Sequence, residues 1–460
     1  MLRHHVIKAR GSSKINPYKI DNVLEELGKL VTGVTYSQGY SLEIGAQPDE
    51  KLIEEACDNA KSADVAIVVA GLPEEYESEG FDRATLAMPE AHNRLIEAVA
   101  TSNPNTIVVL QLGAPVIMPW REDVKAILLG YLGGEAGGSA LAEVVCGIVN
   151  PSGKLAESFP LKEKDIPCYN YFAGDRTSEE YRESIYVGYR YYDKTNKEVA
   201  YPFGYGLSYT KFRYSNISLS SENFRKCDAL TVKVMIENVG TCAGAEVVQL
   251  YVGKAQDKIF RAPKELKGFR KIYLEVGEQR EVEFELAKRS FAYYNTKIQD
   301  WAIEGGEYNI LIGTSSQDIM FKKPIQVEGD GQEELLVELR DKAPTYYQLP
   351  TGTLEIPKEE FVNLYGRELP PAPSRNKPFN VNNTLGDIQS TFLGRQLYKF
   401  IFKKATKMFA GSQGVTKKTE LVVGKMLYGM PLRSLVMMTK GALDMKKIKG
   451  LLKILNGFKK

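Results

Sequence analysis

The chain has 460 residues, enough for two to four domains with a sizeable core. Its 60 Lys and Arg against 58 Asp and Glu leave a formal net charge of +2, which excludes a general polycation and removes nucleic acid as an expected partner. Three histidines and five cysteines, with neither CxxC nor other ligand spacing, argue against a disulfide framework and a metal site, so no metal and no cofactor is expected. The opening MLRHHVIKARGSSK lacks the apolar run of a signal peptide, and no stretch reaches the roughly 18 apolar residues of a spanning helix. These features predict a cytoplasmic protein with reduced thiols. Charge is unevenly spread: Arg395–Lys460 holds 16 basic residues and two acids, so an acidic body is followed by a basic tail.

In chain order, Ala63–Gly71 (ADVAIVVAG) is a near-continuous apolar run, the pattern of a parallel strand buried on both faces. Pro89 then opens a helix whose Ala91, Leu95, Ile96 and Val99 fall at helical spacing, and Asn103-Pro104-Asn105 ends it. Thr106–Leu112 and Lys125–Leu132 read as two further buried strands. The cluster Gly133-Gly134-Glu135-Ala136-Gly137-Gly138 leads into another helix; its spacing fits neither GxGxxG nor GxxxxGK[ST], so close helix–strand packing is expected there rather than a nucleotide phosphate. Tyr186–Tyr209 is tyrosine-rich and punctuated by glycine and proline, which suits an aromatic connector over a domain surface. From Phe212 to Gly329 short alternating segments (Leu230–Glu237, Ala245–Val252, Arg280–Leu286, Tyr308–Gly313) predict an antiparallel sandwich. Residues 330–393 are Pro-rich and read as irregular. The fold class predicted is therefore α/β followed by all-β: a mainly parallel α/β sandwich domain (1–207), an antiparallel β-sandwich (208–330) and an irregular, helical, basic tail (331–460).

The tail holds six of the eleven methionines on amphipathic stretches. Either its helices pack their Leu/Met faces on the acidic body, or Met437–Phe458, with Leu451, Leu452, Ile454 and Leu455 among Lys446, Lys447, Lys449 and Lys453, makes a weak membrane-surface contact.

The loop after the first strand, Leu72–Arg83, carries five carboxylates between Glu74 and Asp82. It follows a strand's carboxyl end, where open α/β sheets bind ligands. It is either a solvated acidic loop or the seat of a carboxylic acid whose pKa is raised by neighbouring charge and burial.

Seven collinear segments resemble the C-terminal portion of glycoside hydrolase family 3, the β-glucosidase group. They are GSSKINP (Gly11–Pro17), Ala63–Arg83, Asn103–Trp120, GGEAGG (Gly133–Gly138), NPSGKLAESFP (Asn150–Pro160), YVGYRYYD (Tyr186–Asp193) and FGYGLSYTKF (Phe203–Phe212). The resemblance implies a fibronectin type III-like fold for the β-sandwich, a β-linked oligosaccharide or glycoside as substrate, and Glu79 as catalytic acid/base. Glu77 is the runner-up, pointing oppositely if the loop is extended. By the same resemblance Ser12 lies within reach of the sugar, although a turn hydroxyl explains it as well. Asp82 and Arg83 are expected to brace the loop as a charged pair.

Retaining hydrolysis needs a second carboxylate about 5–5.5 Å from the first. In this family it comes from an N-terminal (β/α)8 barrel, yet these 460 residues leave no room for a barrel of roughly 250 and hold no Ser-Asp-Trp nucleophile segment. Gln299-Asp300-Trp301 is the nearest look-alike and reads as a strand with a core tryptophan. The chain is therefore expected to be a catalytically incomplete fragment, a non-catalytic carbohydrate-binding or interaction module, or the partner of a separate barrel polypeptide. MLRHHVIKAR also looks like a short substitute for a buried strand that should enter the sheet.

Overall fold

The computed structural model describes residues 17–43, 45–73, 76–77, 81–172, 178–225, 229–331, 336–371, 374–410, 414–438 and 443–457. Helix α1 (Val23–Leu30) starts where the Asn22 side chain accepts the Leu24 amide, and α2 (Glu50–Lys61) where Asp49 accepts those of Lys51 and Leu52. Strand β1 (Ala66–Gly71), helix α3 (Glu90–Ser102), β2 (Thr106–Gln111), β3 (Ala126–Leu129) and α4 (Gly137–Val145) follow. The strands pair in parallel in the order β1-β2-β3, with Ala66 opposite Thr106 and Ile107 opposite Ala126.

Alternation along the strands divides the core. Val69 and Val109 meet Val23 and Leu27 of α1 and Leu141 and Ala142 of α4 on one face. Val68, Val108 and Leu110 meet Ile53 of α2 and Leu95, Ile96 and Val99 of α3 on the other. Coverage on both faces explains the continuous apolar runs of β1 and β2, whereas β3, expected to be buried, leaves Ala126 exposed and the rest half-buried. The glycine cluster serves packing, but between helices rather than helix and strand: a Cβ on Gly138 would collide with the backbone of Asp21, where α1 is about to start.

The tyrosine-rich stretch is no surface connector. It forms α5 (Tyr189–Thr195), after the short β4 (Phe159–Pro160) and before its partner β5 (Val199–Tyr201). Tyr186, Tyr191 and Tyr192 are buried against Ala343, Tyr346, Leu354 and Ile356. The segment that looked irregular thus completes a core, and it also contains helix α6 (Lys358–Tyr365).

The β-sandwich has two sheets. β6 (Phe212–Leu219), β8 (Leu230–Asn238) and β11 (Gln279–Leu286) form one in the order β11-β8-β6. β7 (Asn223–Phe224), β9 (Gly244–Lys254), β10 (Glu265–Leu274), β14 (Gly306–Gly313) and β15 (Ile319–Val327) form the other in the order β10-β9-β14-β15-β7. All these pairings are antiparallel except β15 with β7. Val232, Val234, Val248, Leu250, Ile310 and Ile312 face one another between the sheets. Trp301 is not in this core: β13 (Asp300–Ala302) pairs with β12 (Tyr293–Asn295), and the indole lies 36 % exposed under the Arg289 guanidinium and against Tyr294.

The α/β domain and the sandwich meet through buried polar groups. Lys154 reaches Glu246 of β9 at 3.3 Å, and Tyr214 of β6 donates to the same carboxylate at 2.9 Å. Burial pushes the Glu246 pKa up against the pull of Lys154. The Gln249 side-chain amide donates to the Gly204 carbonyl at 3.0 Å.

The tail helices α7 (Phe392–Ala410), α8 (Lys417–Gly429), α9 (Ser434–Met438) and α10 (Met445–Asn456) do not pack their apolar faces on the body. Phe379, Leu385, Val423, Leu427, Ile448 and Leu452 close a core of their own. A contact among the described residues reaches back, where the Lys425 ammonium sits 4.5 Å from the centre of the Phe81 ring. No helix among the described residues is long and apolar enough to cross a membrane.

Candidate functional site at the carboxyl ends of the parallel strands

Three loops leave the same end of the sheet. The chain departs from β1 at Gly71, where a Cβ would strike the Gln111 carbonyl of β2, so only glycine allows the close approach. Leu72 N–H then donates to that carbonyl at 3.2 Å. Glu77 turns toward the second loop: its Oε1 accepts the Gly113 amide at 2.8 Å. Arg83 Nη1 donates to the Pro115 carbonyl at 3.0 Å. The expected Asp82–Arg83 pair is not among the described ion pairs, and Arg83 ties the loop to the β2 exit instead. Further on, Thr85 donates to Glu163 at 2.9 Å.

The preferred acid/base, Glu79, and Ser12 both lie outside the described residues. Their neighbours bracket the site. Glu77 and Phe81 flank Glu79, and the stretch that follows GSSKIN is fixed to the loop after β3: Tyr18 N–H donates to Glu135 Oε1 at 3.1 Å and Asp21 N–H to the Glu135 carbonyl at 3.0 Å.

The β3 exit adds a pair that no motif announced. Tyr131 has φ of 43°, a left-handed conformation costly for a side chain of this size. Its hydroxyl donates to Glu157 Oε1 at 3.3 Å. Burial raises the pKa of both groups, with the Glu157 charge adding to the rise on the phenol. Leu132, exposed beside this pair, lies against the Gly113 position that Glu77 holds. Buried His92 on α3 lies against Tyr40 with the rings tilted and their centres 4.0 Å apart, and burial lowers its pKa to about 4 despite a hydrogen bond to the Gly71 backbone. No group of three or more metal-ligating side chains is present among the described residues.

A separate cleft of about 930 Å³ is lined by Asn170, Tyr171 and Arg182 on one side and by residues 344–358 on the other. Its Arg182 is already held by Glu180 and by the Ile356 carbonyl, so its charge is spent on the protein.

An acidic loop thus leaves the strand ends of a helix-covered parallel sheet, and that sheet's domain is joined to a β-sandwich by buried polar contacts. The chain carries the glycosyl hydrolase family 3 C-terminal domain over residues 3–209 and a fibronectin type III-like domain over residues 246–316. It is 52 % identical over 320 residues to the thermostable beta-glucosidase B of Acetivibrio thermocellus, covering 69 % of this chain and 42 % of that protein. It is 41 % identical over 329 residues to an exo-alpha-(1->6)-L-arabinopyranosidase of Bifidobacterium breve, covering 71 % and 43 %. Among solved structures it resembles the GH3 beta-glucosidase of Bifidobacterium adolescentis with a TM-score of 0.66 and 41 % identity, over 70 % of this chain and 47 % of that one. The chain therefore spans less than half the length of these relatives.

Proposed function

We propose that this chain supplies the acid/base part of a retaining exo-glycosidase acting on β-linked glycosides, with Glu79 protonating the leaving oxygen and then activating water. The observation that carries the reading is the bracing of the Glu79 loop from both sides, by Glu77 on Gly113 and Arg83 on Pro115, at the carboxyl end of the parallel sheet. The nucleophile comes from a separate (β/α)8 barrel polypeptide. Relatives of similar match act on different sugars by their names, which supports placing sugar choice in that barrel.

The test is hydrolysis of aryl β-glucoside, β-xyloside and α-L-arabinopyranoside by the chain, alone and mixed with a relative's barrel polypeptide, with Glu79→Gln as control. Activity in the mixture that the variant loses supports the reading. No activity in any mixture favours a non-catalytic carbohydrate-binding module.

The Met437–Phe458 stretch expected to meet a membrane surface buries Leu452 and Leu455 in the tail core and leaves Ile454 exposed, so a membrane-surface role for the tail is supported rather by α7, which exposes Leu393, Phe400 and Met408 beside Lys404 and Lys407. Co-sedimentation with anionic vesicles, lost on deleting residues 394–460, tests it. A reducing, cytoplasmic setting is supported by the free thiols of Cys57, Cys146, Cys168 and Cys242.

A further inference from the structure

Hydrogen bonds join the two banks of the cleft of about 930 Å³ and fix its shape. The Asn170 side-chain amide donates to the Leu354 carbonyl at 3.1 Å, Arg182 Nη1 donates to the Ile356 carbonyl at 3.0 Å, and the Ile356 N–H donates to the Tyr171 hydroxyl at 2.5 Å. The second bank has its own brace: Glu360, in the first turn of α6, accepts both the amide and the hydroxyl of Thr345 at 2.8 Å. The banks are therefore set relative to each other before anything enters. The volume is that of a small-molecule site.

What these banks leave unspent is polar and sums to no charge. The Tyr171 oxygen accepts, so its proton stays available to donate, and the Asn170 carbonyl oxygen stays available to accept. The side chains of Gln348, Thr351, Glu355 and Lys358 line the cleft, are exposed, and make no hydrogen bond or ion pair among the described residues. Glu355 and Lys358 offset each other in charge. Pro344, Pro350 and Pro357 add apolar ring faces to the same lining.

This lining discriminates between ligand classes. An anion needs an unspent cation, but the Arg182 guanidinium is bonded to Glu180 as well as to Ile356, and Lys358 is matched by Glu355. A wholly apolar ligand would cover Gln348 and Thr351 and leave them unpaired. A ring with CH faces and an edge of hydroxyls, each both donor and acceptor, satisfies amide, hydroxyl, phenol and carboxylate together. Aromatic residues stand next to the lining in the chain: Tyr169 and Phe172 flank Asn170 and Tyr171, Tyr181 precedes Arg182, and all three are exposed. We infer that this cleft binds a neutral oligosaccharide, with Tyr171, Gln348 and Thr351 hydrogen-bonding its hydroxyls. The inference stands on the cleft alone and does not rest on the hydrolytic reading proposed above.

The experiment is calorimetric titration of the full chain with cellotriose, laminaritriose and xylotriose, and with trigalacturonate and a proline-rich peptide as comparators. We expect a neutral trisaccharide to bind roughly tenfold or more tightly than either comparator. Gln348→Ala and Thr351→Val each remove an exposed group that bonds to nothing else in the described protein. Each should keep the melting temperature and weaken binding about fivefold, the worth of one hydrogen bond. Glu79→Gln should bind as the unaltered chain does. Tighter binding of trigalacturonate, binding of the peptide alone, or no binding of any neutral sugar overturns the inference. So does binding that Glu79→Gln weakens while both cleft variants leave it unchanged, which is the outcome the glycosidase reading expects of a sugar held at the strand-end loops. Cleft-dependent binding without hydrolysis in any mixture upholds the cleft and sinks the glycosidase reading.

Discussion

Glu77 holds Gly113: one carboxylate oxygen accepts the glycine amide at 2.8 Å and ties the loop after β1 to the loop after β2. This makes Glu77 a positioning residue. Glu77→Gln keeps an acceptor oxygen and should leave stability and reconstituted turnover within about twofold. Glu77→Ala should cost about 1 kcal/mol, the worth of a typical hydrogen bond, and lower turnover several-fold. Urea unfolding and aryl glucoside kinetics check both; a Gln variant as poor as the Ala variant would return the acid role to Glu77.

For Glu79, the leaving group is the probe. In the reconstituted mixture Glu79→Gln should lose about 10²–10⁴-fold in turnover on poor leaving groups and far less on good ones, which need little protonation. A uniform loss across a series of aryl glycosides would assign the proton to another residue.

His92 sets an acid limit on stability. Burial holds its folded pKa near 4, below the ordinary 6.5. The unfolded chain therefore takes up a proton first as pH falls. The contribution is fully present above about pH 6.5, is lost progressively toward pH 4, and amounts to at most about 3 kcal/mol. His92→Phe should flatten this dependence, seen as a smaller gap between urea midpoints at pH 7.5 and pH 4.5.

The tail should behave as a separate folding unit, because its core draws only on residues 379–455. Removing residues 374–460 should leave the remaining melting transition within about 2 °C, and calorimetry of the full chain should show a second, independent transition. A single cooperative transition lost on truncation would contradict this.

Much of the fold was legible because burial writes itself into period. ADVAIVVAG and the Thr106–Leu112 run announced strands covered on both faces, and the alternation of Leu230–Glu237 announced a two-sheet core. Partners were less legible than elements. Tyr186, Tyr191 and Tyr192 signalled an aromatic cluster, but nothing local says that their cover arrives with Tyr346 and Ile356, over 150 residues later. The same blindness placed the tail on the body and Trp301 in the core. At the site, the acidic loop stood out by composition, whereas Tyr131 and Glu157 carry no shared spacing. Only the left-handed turn at Tyr131 brings them together.

The buried bridge from Lys154 to Glu246 and the Gln249–Gly204 bond pin the two leading domains to each other along β9. A shift of β9 is therefore felt first at Lys154 and Gly204, as a handle moves the blade fixed to it. A cavity at Val248 or Leu250, which flank Gln249 on β9, should therefore loosen the grip on Gly204 along with the sandwich core.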